Sequence, residues 1–144
     1  MNTQTTIIVS LSLIALPLLT GCIGSNEVTG NNNITWMTYS DGQKEGKNQE
    51  KPILVDLYAD WCEPCQQIET NTYTDPAVID MILEEFIPVK INIDSQPSLA
   101  AQYNIQYIPT IVYLTPNGTE VHRTVGYRSV SQITADMHTA LQNM

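Results

Sequence analysis

The stretch Ile53-Leu54-Val55-Asp56-Leu57-Tyr58-Ala59-Asp60-Trp61-Cys62-Glu63-Pro64-Cys65 decides the reading of this chain. Its first seven residues are an almost unbroken apolar run, the pattern of a strand covered on both faces, as in the parallel sheets of α/β proteins. A helix is expected to follow, from Cys62 to about Asn71. Two cysteines three apart at a helix start lie on one face, one turn apart, and can close a disulfide with little backbone movement. Cys62 would occupy the helix N-terminus, where unpaired N–H groups and the positive dipole end stabilise a thiolate, with Cys65 a turn deeper and less exposed. On this reading Cys62 attacks a substrate disulfide and Cys65 displaces the product thiol.

Three blander roles compete for the pair. A purely structural disulfide between neighbours closes so short a loop that it restricts the unfolded chain little. A zinc site needs four ligands, and the other candidates, His122 and His138, lie far away with no ligand-like spacing, so no metal is expected. Unrelated, inert thiols are the third. Neither histidine has companions that suggest catalysis, and both read as surface residues.

Working outward, residues 34–37 read as a short strand and 40–48 as a polar helix weakened by Gly42 and Gly46. Asp75-Pro76 announces another helix, a capping residue followed by one whose missing N–H costs nothing at the first helical position. Its apolar face is Val78, Ile79, Ile82, Leu83 and Phe86. Residues 89–93 alternate with period two, a strand with Val89, Ile91 and Ile93 on one face. A short helix over 97–103 precedes two strands, 110–114 and 120–125, joined through Pro116-Asn117-Gly118. There Asn-Gly accepts the positive φ angles of a tight hairpin. Ser129 and Gln132 form a capping box for a last helix burying Val130, Ile133, Met137 and Leu141. The expected fold is α/β, a central mixed sheet flanked by helices in the order β-α-β-α-β-α-β-β-α, forming one domain over residues 34–144.

The N-terminal 21 residues contain no charged side chain, and residues 7–19 are broken only by Ser10, Ser12 and Pro17. That length suits the apolar core of a signal peptide better than a span, which needs roughly 20 residues. Leu19-Thr20-Gly21-Cys22 resembles a lipoprotein signal box. The resemblance implies cleavage before Cys22 and a lipid on its thiol; left uncleaved, the same segment would be a short signal anchor. Both put the domain outside the cytoplasm, at a membrane surface. Residues 22–33, rich in Gly, Ser and Asn, are composed as a flexible tether. With Cys22 lipidated, Cys62 and Cys65 are the remaining thiols.

The 144-residue chain has 6 Lys+Arg against 15 Asp+Glu, a formal net charge of −9, which disfavours nucleic acid as a partner. Its 42% hydrophobic content supports a packed core, and a monomer is the expected state.

The Trp61-Cys62-Glu63-Pro64-Cys65 element, Ile108-Pro109-Thr110 and Gly126 together resemble the thioredoxin superfamily across residues 34–144. Within it, residues 55–62 and 72–78 look most like the C-terminal domain of the transmembrane thiol:disulfide interchange proteins, which pass electrons outward. The resemblance implies that Pro109 is a cis-proline bringing the Ile108–Pro109 backbone beside Cys62, with groups exposed for an extended substrate strand. It also implies that Asp56, a carboxylate in a buried strand, has a raised pKa and accepts a proton from Cys65, and that Lys90 pairs with Asp56. Trp61 would wall the site, with Pro64, Ile108 and Thr110 beside it. Tyr103, Ile105, Tyr107 and Ile108 could form an apolar rim for extended partners, although core packing is the commoner fate of such residues. Glu63 replaces a small or neutral residue; its charge opposes thiolate formation on Cys62 and points to a reductant.

The expectation is a tethered oxidoreductase that reduces protein disulfides, with an upstream thiol donor, in or near the membrane, and no organic cofactor. A dithiol oxidant and a cytochrome c maturation reductant are the alternatives within that chemistry. A binding or chaperone-like module with a static disulfide is the alternative outside it.

Overall fold

The computed structural model describes residues 33–144. The signal segment, Cys22 and all of the tether except Asn33 lie outside the described residues. The elements run α1 (Tyr39–Gln49), β1 (Ile53–Tyr58), α2 (Glu63–Asn71), α3 (Pro76–Glu85), β2 (Ile87–Asn92), α4 (Pro97–Gln102), β3 (Thr110–Leu114), β4 (Glu120–Val125) and α5 (Val130–Gln142). The four strands form one sheet in the order β2-β1-β3-β4. β1 is parallel to β2 and antiparallel to β3, and β3 is antiparallel to β4.

The apolar run of β1 has its reason in this sheet. Leu54 faces a core built with Ile68 of α2, Val78 and Ile82 of α3, and Ile133 and Met137 of α5. Ile53, Val55 and Leu57 face the opposite core, with Val89 and Ile91 of β2 and Val112 and Leu114 of β3. Successive side chains point to opposite faces, so a strand with helices on both sides must be apolar throughout. Asp56 falls on the Leu54 face, directed towards α2, and is only 4% exposed.

The helix boundaries follow local chemistry. Asp75 Oδ1 accepts from the N–H groups of Ala77 and Val78 at the start of α3. Ser129 and Gln132 make the reciprocal bonds of a capping box at α5. After α4, Asn104 takes a left-handed conformation (φ 50°), and the Ile105 N–H closes on Ala100 O. Asparagine tolerates that region, and the chain is thereby turned towards the Pro109 loop.

Two details differ from the sequence reading. Residues 34–37 are not a strand: a single parallel bridge joins Met37 to Val89, because α1 begins at Tyr39 and leaves no length for a ladder. The interval between β1 and β2 holds both helices that the sequence announces, α2 and α3. In the β3–β4 hairpin only Gly118 has positive φ (88°), and its N–H bonds to Thr115 O, the arrangement of a three-residue loop.

Candidate active site

β1 delivers the chain into a tight turn in which the Cys62 N–H donates to Ala59 O at 3.1 Å. Cys62 is then the N-cap of α2, extended at φ −83° and ψ 103°, with Pro64 in the first turn. Its Sγ accepts the Cys65 N–H at 3.2 Å. The two cysteines are joined by a disulfide, with Cα atoms 5.3 Å apart. A sulfur capping a helix sits where free N–H groups and the helix dipole favour negative charge, which lowers the cost of a thiolate at Cys62.

Both cysteines are buried, and Cys65 (8% exposed) is no deeper than Cys62 (3%). The expected order of exposure is therefore reversed. The cause is a cavity of about 290 Å³ that opens onto Cys65 and is lined also by Asp56, Tyr58, Asp60, Glu69 and Lys90.

Asp56 holds the floor of that cavity. Burial pushes its carboxyl up to about 6 from an ordinary 3.8, with the Lys90 charge opposing the shift and the Glu69 charge adding to it. Its Oδ1 has no hydrogen-bond partner among the described residues. A carboxyl that is hard to ionise and faces a thiol-lined cavity is suited to holding a proton near neutral pH. Lys90 stands opposite Asp56 in the register of β1 and β2, but its Nζ pairs with Glu69 of α2 instead. Glu69 is half-exposed and lines the same cavity.

On the other side of the disulfide the Ile108–Pro109 bond is cis. Ile108 packs against the cluster of Ala59, Cys62 and Cys65. The loop is fastened at both ends: Thr110 Oγ1 donates to Tyr107 O at 2.7 Å, and the Gly126 N–H donates to Pro109 O at 2.8 Å. Thr110 is itself buried, its side chain committed to that bond. Trp61, 69% exposed, donates its indole N–H to Asp94 Oδ2 at 2.8 Å. With Ile93, Ile105, Tyr107 and Ile108 it lines a second cavity of about 280 Å³. Tyr107 is exposed, whereas Tyr103 is buried and bonded through its hydroxyl to Tyr39, so only the former joins the rim. Glu63 and Pro64 are exposed between the cysteines.

The thioredoxin family model matches residues 35–139. The chain belongs to the thioredoxin family. A thioredoxin-like protein of Synechocystis is 40% identical over 83 residues, covering 58% of this chain and 75% of that protein. The thiol:disulfide interchange protein DsbD of Tatumella citrea is 34% identical over 107 residues, covering 69% of this chain and 18% of that much longer protein. The solution structure of a thioredoxin from Thermus thermophilus superposes with a TM-score of 0.70 at 23% identity, over 76% of this chain and 88% of that one. This thioredoxin-family chain is a thiol:disulfide oxidoreductase, and Cys62 and Cys65 carry its CxxC spacing.

Sequence reasoning missed a second polar group, at the β4 edge of the sheet. His138 is exposed, but His122 is half-buried, stacked on Tyr113 at 5.5 Å and 3.6 Å from Asp136, which also holds Arg128. The three ion-pair members come from β4, the β4–α5 turn and α5, with no local spacing to betray them. Among the described residues no three His, Cys, Asp or Glu side chains converge on a metal position.

Proposed function

We propose that this protein is a membrane-tethered, extracytoplasmic reductase of protein disulfides. The observation that carries the reading is Cys62 as the cap of α2, its Sγ facing the Cys65 N–H, with the cis Ile108–Pro109 loop alongside. In the reduced enzyme the Cys62 thiolate attacks one sulfur of a substrate disulfide, forming a mixed disulfide and releasing the first substrate thiol. Cys65 passes its proton to Asp56, and its thiolate attacks Cys62 Sγ. The second substrate thiol leaves, and the Cys62–Cys65 disulfide re-forms. Two electrons have moved to the substrate. An upstream thiol donor, a membrane protein on this reading, restores the dithiol by the same exchange in reverse, so no organic cofactor takes part.

The remaining site residues take supporting roles. Lys90 attracts negative charge onto Asp56. Pro109, with Ile108 and Thr110, presents backbone to an extended substrate strand, and Trp61 and Pro64 form apolar walls. Glu63 disfavours the Cys62 thiolate, which biases the pair towards giving electrons away. The N-terminal sequence supports the location: an apolar 7–19 segment, Leu19-Thr20-Gly21-Cys22 for lipid attachment on Cys22, and a polar tether. Among the described residues no helix is long and apolar enough to cross a membrane.

Insulin reduction tests the reading. The wild type should turn over with a thiol donor, Cys62→Ser should be inactive, and Cys65→Ser should accumulate mixed disulfides with substrate. A protein whose partners stay bound after both changes, with no turnover in the wild type, would be a binding module. A measured potential near the roughly −120 mV of strong oxidants would reverse the direction.

A further inference from the structure

The single bridge that replaces the expected first strand has a specific effect. Met37 N–H donates to Pro88 O at 2.9 Å, and the Lys90 N–H donates to Met37 O at 3.2 Å. This clip lays the ring of the preceding residue, Trp36, over the Lys90 side chain. The Lys90 Nζ lies 4.8 Å from the centroid of Trp36, 5.1 Å from that of Tyr58 and 5.7 Å from that of Tyr73. Trp36 is itself fixed edge-on against Tyr73, centroids 4.9 Å apart. Three rings thus surround an ammonium group that is largely withdrawn from water, where the negative faces of aromatic rings attract a cation most strongly.

We propose that Trp36 is a positioning residue of the redox site, its ring holding the Lys90 ammonium between Glu69 and Asp56. The inference rests on the proposed role of Asp56 as the proton acceptor for Cys65. Among the described residues Lys90 is the one cation facing Asp56. Glu69 and Cys65 face it from α2, and Tyr73 from the turn beyond. Tyr58 and Asp60 approach along β1 and its end, and Tyr113 from β3. The position of Lys90 therefore tunes, against the upward push of burial, how readily Asp56 gives up its proton. Trp36 stands only a few residues from the tether, so the start of the domain reaches directly into the proton chemistry of the disulfide.

The test compares full-length wild type with Trp36→Leu and Trp36→Phe. Leucine keeps an apolar body against Tyr73 while removing the ring face; phenylalanine restores the face. Carbon-detected NMR titration of the Asp56 carboxyl in the reduced protein reads the effect directly. Trp36→Leu should move its midpoint upward by about one unit, and Trp36→Phe should stay near wild type. The pH profile of resolution by Cys65 should move with it. Wild type and Trp36→Leu titrating together, or Phe shifting as far as Leu, would overturn the proposal. If Trp36→Leu does not fold, a multiply fluorinated tryptophan placed at position 36 keeps the shape and drains the ring face, and the same upward shift is expected. An Asp56→Asn variant whose resolution profile matches wild type would remove the proton-acceptor reading instead, while the carboxyl titration would still decide whether Trp36 positions Lys90.

Discussion

Asp56 lies directly opposite Lys90 in the parallel register of β1 and β2, yet the ammonium group of Lys90 closes on Glu69 of α2. The buried carboxyl is left near a cation without being tied to it.

The first prediction concerns stability. The folded-state pKa of Asp56, about 6, lies above its ordinary 3.8, so the native state binds the proton more tightly than the unfolded chain. Its favourable contribution is complete below about pH 4 and is lost as pH rises through 6, a difference on the order of 3 kcal/mol. Urea unfolding of the oxidised protein should show wild-type stability falling across that window. Asp56→Asn should have a flatter profile and be more stable by about 2–3 kcal/mol at pH 8. Parallel curves would mean that Asp56 ionises normally.

The second concerns the residue between the cysteines. Glu63→Gln removes an exposed negative charge next to Cys62, and the Cys62 thiol should titrate lower by roughly half a unit. Thiolate absorbance in the reduced protein reads this shift, and the reduction potential should rise with it. An unchanged titration would separate Glu63 from the reductive direction.

Helix α1 offers a case where propensity and packing oppose each other. Alanine at an exposed helix position gains about 1 kcal/mol over glycine. At Gly42, however, an added Cβ would collide with Val89 Cγ2, because α1 packs flush on β2. Overpacking of about 1–3 kcal/mol should outweigh the propensity gain. Gly42→Ala is therefore expected to lower the thermal midpoint, and a higher midpoint would show that the interface yields freely.

The apolar rim makes a kinetic prediction. Tyr107 is 74% exposed on the cavity shared with Trp61 and Ile108. Tyr107→Ala should raise KM for protein disulfides several-fold, equivalent to about 1 kcal/mol of lost contact. Reduction of a small aromatic-free disulfide should be unchanged. An equal loss on both substrates would place Tyr107 in loop stability.

Much of this molecule is legible because its signals are local. The apolar run of β1, the Asp75 and Ser129 caps and the two cysteines one helical turn apart each act within a few residues, over distances that backbone geometry alone sets. Gly42 is legible only as a weak helix former, since β2, which requires its small size, is distant in the chain. The same holds for His122, whose surroundings come from β3, β4 and α5.

By itself, then, the sequence determined an α/β domain with a dithiol at a strand-to-helix junction, an acidic surface and a cis-proline motif. Tertiary structure alone decided that Lys90 pairs with Glu69, that Tyr107 faces solvent while Tyr103 is buried, and that Trp36 covers Lys90. Those outcomes depend on which residues of separate elements come within a few ångströms. Such proximity is fixed by sheet register and layer packing, and periodicity along a single segment carries no record of it.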